Sequence, residues 1–372
     1  MFSYLSSIGC GATPQYLNRL LANRAGDLRR VEIISINPLD DTFTNPELRD
    51  SFFTNSLFAS YFVRSAIQNG TASYIPAFLN EMPRLFDEKI LPLDAAFIQV
   101  SPPDKHGFCS LGISVETTQA AIRNAKKVFA QINRNMPRVH GDTFVHMNQI
   151  DAYVEYDEPI IELKYTKRIT QIEEAIAKKV AELVEDRSTR KFLRFVIAYR
   201  SVRIYFVVQL GLGPIPDSIL MALQNHKDLS IATEMLSDGV LPLIEQGVIT
   251  NRYKKFYPGK STCTFMLGSK KFYDFIDDNP DVLSLDVSIT NDPAQIRRNP
   301  RMCAINSALE IDLTGQICAD SLGTMQYSGV GGQMDFMRGA ALSEGGKAIV
   351  IVPSQSSKGA SRIVNTVGLF SR

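Results

Sequence analysis

Short apolar runs bounded by polar or glycine- and proline-rich segments recur along the whole chain. Residues 31–36, 95–100, 127–132, 229–233, 283–287 and 347–352 each predict a short buried strand. Helical spacing covers residues 118–125, between two of these strands. It covers residues 169–184 as well, where Ile169, Ile172, Ile176, Val180 and Leu183 are expected to share the buried face. Strands alternating with helices predict an α/β architecture with mostly parallel sheets.

Two stretches repeat one pattern. Residues 9–21 and residues 211–223 both read G-x-G-x-x-P, followed by an amphipathic run and then a strand. Proline suits the first turn of a helix, where its missing N–H is not needed. The glycines let the backbone approach something small. The repeat predicts two related α/β domains, residues 1–160 and 169–372, divided within the stretch 156–166.

The 372 residues suit two domains, and 40 basic against 39 acidic side chains leave a formal charge of +1. That balance argues against a general nucleic-acid or anionic-membrane binder. No apolar stretch approaches the length of a membrane span; the richest, residues 192–212, is broken by Arg194, Arg200 and Arg203. Cys10, Cys109, Cys263, Cys303 and Cys318 form no CxxC pair, so buried thiols are expected rather than a disulfide framework, and no metal site is expected. No signal peptide or Arg-rich transit segment is visible at the start.

Four places can carry chemistry. Glu234 follows the strand 229–233, and in open α/β sheets ligands bind beyond the carboxyl ends of strands. A carboxylate there facing the turn 211–216 can serve as a nucleophile, although a salt-bridged surface glutamate is the commoner fate. Gly329, Gly331 and Gly332 make a loop whose N–H groups can face an oxyanion, or merely a tight turn. Ser354, Ser356, Ser357, Lys358 and Arg362 make a phosphate neighbourhood or a solvated loop. His106, in the loop 101–112, reads more readily as a turn-stabilising residue than as a catalytic one.

Together these segments resemble the acetyl-CoA hydrolase/transferase family, which includes 4-hydroxybutyrate and acetate CoA-transferases. The matching stretches are VSPPDKHGFCSLGISVE (100–116), NRNMPRVHGDTFVH (133–146), QLGLGPIPDSIL (209–220), HKDLSIATEMLSDGV (226–240), INSALEIDLTGQI (305–317) and YSGVGGQMDFMRGA (327–340). The resemblance implies an active site in the cleft between two α/β domains. It implies that Glu234 attacks an acyl-CoA thioester and passes CoA, through a glutamyl-CoA thioester, to a carboxylic acid of the acetate, succinate or butyrate type. The amides of Leu212 and Gly332 are the implied oxyanion donors. Gly211, Leu212, Gly213, Pro214, Ile215, Asn306, Gly332 and Lys358 fall where the family contacts CoA. Coenzyme A and acyl-CoA enter as substrates rather than as a resident cofactor. The partners implied are these small molecules, with neither nucleic acid nor membrane, and a homo-oligomer is left open. Acetyl-CoA hydrolase and an inactive CoA-binding paralogue are the alternatives.

Three departures from the family pattern stand out. The chain is expected to lack a helix and strand ahead of the first glycine turn, and to stop short at its C-terminus. Residues 190–207, with five basic residues, five aromatics and no acid, read as an insert with no place in the core. Read as a retained intron, the insert points to a eukaryotic source and a mitochondrial location, with a cytoplasmic one as the alternative.

Overall fold

The computed structural model describes residues 3–7, 10–162, 169–184, 206–210, 214–356 and 358–367. Two parallel sheets organise it. The first has seven strands in the spatial order Ala152–Glu155, Lys127–Ile132, Ala95–Val100, Ser3–Ser7, Val31–Ser35, Phe52–Ser56, Ala72–Tyr74. The second has four, in the order Ser230–Ile231, Val207–Leu210, Met302–Ser307, Lys347–Ile351.

In both sheets the strand that feeds the glycine turn lies inside the sheet, where the strand order reverses. Ser3–Ser7 has Val31–Ser35 on one side and Ala95–Val100 on the other. Val207–Leu210 has Ser230–Ile231 and Met302–Ser307. The repeated sequence pattern therefore marks equivalent switch points, where loops diverge and open a crevice. The helices Gln15–Ala22 and Pro214–Ala222 follow the two turns.

Several expectations need correction. The strand thought to be missing ahead of the first turn is present as Ser3–Ser7. The segment 190–207 is not wholly an insert outside the core. Phe206 is fully buried, and Val207 pairs with Ser230 on one side and Met302 on the other. Residues 190–205 lie outside the described residues. Of the predicted stripe on the helix Gln171–Leu183, Val180 is buried and Ile176 packs against the core, but Ile172 is 65% and Leu183 47% exposed, and Ala177 and Ala181 complete the buried face instead. Small side chains on the buried face let it lie close to Ile219 and Leu220 of the helix Pro214–Ala222. The run 283–287 is divided: Val282–Ser284 is a strand, and Asp286 caps the short helix Val287–Thr290 by accepting from Ser288 N at 2.9 Å.

The halves share one core. Ala12, Ile113, Met136 and Val139 from the first pack with Val208, Ile219, Leu236 and Met266 from the second. Strand pairing also crosses between them, through Val282–Ser284 and His140–Gly141.

Candidate active site

The strand Ser230–Ile231 is short because the chain then changes partners. Thr233 N donates to Thr262 O at 3.0 Å, and Met235–Leu236 pairs in parallel with Phe265–Met266. Glu234 sits at this crossover, its carbonyl accepting from Thr264 N (2.9 Å) and Phe265 N (3.2 Å). Lys254 secures the crossover from beneath. Its buried Nζ donates to Ile231 O (2.7 Å), Lys260 O (2.7 Å) and Thr262 Oγ1 (2.9 Å). Burial draws the Lys254 ammonium down to about 7.

The glycine-rich loop closes over Glu234. An added Cβ on Gly332 would lie 1.8 Å from Glu234 Oε2 and 2.1 Å from Asn291 Nδ2, so only glycine lets the backbone come this close. The Gly332 backbone amide lies beside the Glu234 carboxylate and acts to lower its pKa. Asn291 Nδ2 donates to Glu234 Oε2 at 3.1 Å and to Asp335 Oδ2 at 3.2 Å. The first half holds this loop in place. Val330 N donates to Tyr74 Oη (3.0 Å), Leu79 N to Gly331 O (3.1 Å) and Asn80 N to Asp335 Oδ2 (3.2 Å). Phe58 lies against Gly329 and Gly331, and the Arg64 guanidinium stacks over Tyr327.

On the other side, the first glycine turn and Glu116 approach Glu234. Glu116 is fully buried and accepts from Cys10 N (3.1 Å), Thr118 Oγ1 (3.3 Å) and Ser114 Oγ. Ser114 Oγ also accepts from Gly11 N at 3.2 Å. The segment 263–267 lies between the two carboxyls' chains: Val115 N donates to Thr264 O at 3.0 Å, and Ser114 bridges Phe265.

Three carboxyls thus crowd a poorly solvated junction. Burial, with the charge of Asp335, pushes Glu234 up to about 7 against the donors Asn291 and Gly332. Burial also pushes Glu116 up to about 7, with a smaller contribution from the Glu234 charge. Asp335 rises to about 7 through burial, helped by Glu81 and Asp292. A half-buried, weakly solvated carboxylate with its pKa raised toward neutrality has the chemistry of a nucleophile, and a backbone amide beside it has the chemistry of a donor to an oxyanion.

The other expected site residues are placed differently. Gly211, Leu212 and Gly213 lie outside the described residues. Pro214 opens its helix as expected. Ile215 has its side chain in the core, so only its backbone can face a ligand. Asn306 is buried and pairs its amide reciprocally with Gln209, at 2.9 and 3.3 Å. Lys358 is exposed. The turn at His106 is built by Asp104, which accepts from His106 N (2.8 Å), Phe108 N (3.0 Å) and Arg138 (2.7 Å). Sequence reasoning gave no role to Glu116, Asn291, Asp335 or Cys10, although Glu116, Asp335 and Cys10 lie within segments it had singled out. All five cysteines are free and buried. Among the described residues no cluster could hold a metal, and no helix is long and apolar enough to cross a membrane.

Comparison with known proteins decides the family. Residues 3–163 match the acetyl-CoA hydrolase/transferase N-terminal domain, and residues 268–370 match the C-terminal domain. The chain belongs to the acetyl-CoA hydrolase/transferase family. It is 45% identical to 4-hydroxybutyrate coenzyme A transferase of Clostridium kluyveri over 317 residues, covering 85% of this chain and 70% of that protein. It is 42% identical to a succinyl-CoA:acetate/propanoyl-CoA:succinate CoA transferase of Fasciola hepatica, covering 96% and 71%. An acetyl-CoA hydrolase of Yarrowia lipolytica is more distant, 25% identical over 69% of this chain and 52% of that protein. Among solved structures, RipA from Yersinia pestis superposes with a TM-score of 0.88 at 33% identity, covering 98% of this chain and 82% of RipA. A 4-hydroxybutyrate CoA-transferase from Porphyromonas gingivalis gives 0.78 at 32%, covering 98% and 81%.

Proposed function

We propose that this CoA-transferase moves CoA from acetyl-CoA or a similar short acyl-CoA to a carboxylic acid, with Glu234 as the covalent residue. The observation that carries the reading is the Glu234 carboxylate at the junction of the halves, pressed against Gly332 with the Asn291 donor and the carboxyls of Asp335 and Glu116 beside it. A carboxylate oxygen attacks the thioester carbonyl carbon, the C–S bond breaks, and CoA leaves as thiolate. The resulting mixed anhydride is attacked at the glutamyl carbon by that thiolate, which releases the donor acid and leaves a glutamyl-CoA thioester. An incoming carboxylate reverses the sequence. Thioester attack builds charge on oxygen, and the amides of Gly332 and Leu212 are the proposed donors to it. Coenzyme A and acyl-CoA are substrates throughout. The kinship with named transferases at 45% and 42% identity favours acid over water as acceptor.

Incubation with acetyl-CoA should add CoA to the peptide carrying Glu234, and borohydride should reduce that adduct and inactivate the protein. Glu234→Ala should abolish both adduct and transfer; full transfer in this variant would refute the assignment. CoA release without an acceptor, undiminished relative to release with acetate or butyrate, would make the protein a hydrolase instead. A mitochondrial location is a further proposal, tested by fractionating cells that express the tagged chain.

A further inference from the structure

We infer that Glu116 is a positioning residue for Glu234: its carboxyl group fills, as a built-in ligand, the anion site of the first glycine turn, and so holds that turn against the segment that carries the nucleophile. This inference rests on Glu234 being the covalent residue.

The repeated pattern extends from the two turns into their sheets. Ser6, three residues before Gly9, pairs with Ile34; Val208, three residues before Gly211, pairs with Ile231. Three residues further along each second strand stand Asn37 and Glu234, and within the turns Cys10 corresponds to Leu212. The first half therefore has an asparagine in the place of the nucleophile. Asn37 Nδ2 donates to Cys10 Sγ at 2.9 Å. The N–H groups of the first turn are not open to a substrate either. Cys10 N donates to Glu116 Oε1 at 3.1 Å. Gly11 N donates to Ser114 Oγ at 3.2 Å, and that hydroxyl donates to the same Oε1. Two consecutive N–H groups, one reaching Oε1 directly and one through Ser114, make a concavity of the kind that binds anions. Here the chain supplies the anionic group itself.

The filled site touches everything that seats Glu234. Glu116 N donates to Thr264 O at 3.4 Å, and Thr264 N donates to Glu234 O at 2.9 Å. Glu116 O accepts at 3.3 Å from Val287 N, the first residue of the short helix Val287–Thr290. The turn presses on the same ground. Cys10 packs with Met235, Phe265 and Leu267, and an added Cβ on Gly11 would lie 2.9 Å from Met266 O. One fully buried carboxyl thus ties the first turn to the strand behind Glu234. Without it the buried Cys10 N–H loses its acceptor, and a turn packed this closely cannot shift without moving Met235 and its neighbour Glu234. No step of the proposed transfer moves a proton, so the reaction asks no acid–base role of Glu116.

The test follows CoA transfer from acetyl-CoA onto Glu234 in a single turnover of the full chain, over a range of acetyl-CoA concentrations, alongside melting temperature. Glu116→Ala should slow the saturated rate about 100-fold and leave the half-saturating acetyl-CoA concentration unchanged. Formate, a carboxylate small enough for the vacated space, should recover about tenfold of that loss. Sulfate at equal ionic strength should recover none, and formate should leave the wild-type rate unchanged. Glu116→Gln keeps an oxygen for Cys10 N without the charge, so it should stay within about tenfold of wild type. A merely structural role would lower the melting temperature and leave the saturated rate alone. If Glu116→Ala does not fold, Ser114→Ala decides: it removes the acceptor of Gly11 N and should slow the step about tenfold, and an unchanged rate there overturns the inference. An unchanged rate in folded Glu116→Ala, a slowed rate that formate does not recover, or Glu116→Gln as slow as Glu116→Ala overturns it as well. No adduct at Glu234 in the wild-type protein overturns the reading beneath it.

Discussion

Gly332 shows why the identity of a single residue matters here. Its φ of −100° is open to any residue, so conformational freedom is not the reason for glycine. Space is. A methyl group would fall inside the contact radius of both Glu234 Oε2 and Asn291 Nδ2, and neither is the free end of a flexible chain, because each is hydrogen-bonded to the other. Gly332→Ala should therefore push the carboxylate off its donors and lower turnover about 100-fold, with the loss in kcat rather than in KM for acyl-CoA. Steady-state kinetics would show it; an unchanged kcat in a folded variant would remove Gly332 from the machinery. Burial, with the charge of Asp335, holds Glu234 up at about 7 against the donors Asn291 and Gly332, so kcat should rise as pH increases through about 7, which a pH profile would show.

At the scale of elements, the strand Val207–Leu210 is the one that presents the second glycine turn, and its entry matters as much as its exit. Phe206 is fully buried among residues that include Leu229, and its N-terminal neighbours were read from sequence as dispensable. Its carbonyl accepts from Ser230 N at 3.0 Å, so it extends the pairing that aligns the strand leading to Glu234. Phe206→Ala should cost about 3–5 kcal/mol, read as a lowered denaturation midpoint with little change in denaturant slope. A deletion spanning residues 190–207 should destabilise the protein, not stabilise it, because it removes both Phe206 and a paired position of the central strand. A deletion that left the midpoint unchanged would show that other residues can take their place.

For the whole molecule, the site exists only where the halves meet. The loop that carries Gly332 belongs to the second half, yet its backbone is held by Tyr74, Leu79 and Asn80 of the first. Tyr74→Phe deletes one acceptor, the one for Val330 N, at a position near the surface of the junction. Loss of one such bond costs about 1 kcal/mol of stability. Turnover should fall by more than that figure implies, because the bond positions the loop proposed to donate to the oxyanion. Equal losses in stability and transition-state stabilisation would mean that the loop is held without Tyr74.

Sequence alone determined the architecture because its signals are local. Apolar runs that stop at polar loops marked strands, and 95–100 and 127–132 matched the observed bounds, since a strand buried on both faces leaves little freedom in where it ends. The repeated glycine-proline turn marked both switch points, and the motif around Glu234 identified the family. What tertiary structure decided is which distant groups face one another. Asn291, Glu116 and Asp335 are ordinary polar residues in their local sequence until folding brings segments near 10, 116, 234, 291 and 332 to one point. The same holds for the helix Gln171–Leu183, whose periodicity allowed several apolar stripes; the helix it packs against chose the one with alanines. Periodicity records what a segment can bury, and only its neighbours settle what it buries and which charges must share a dry junction.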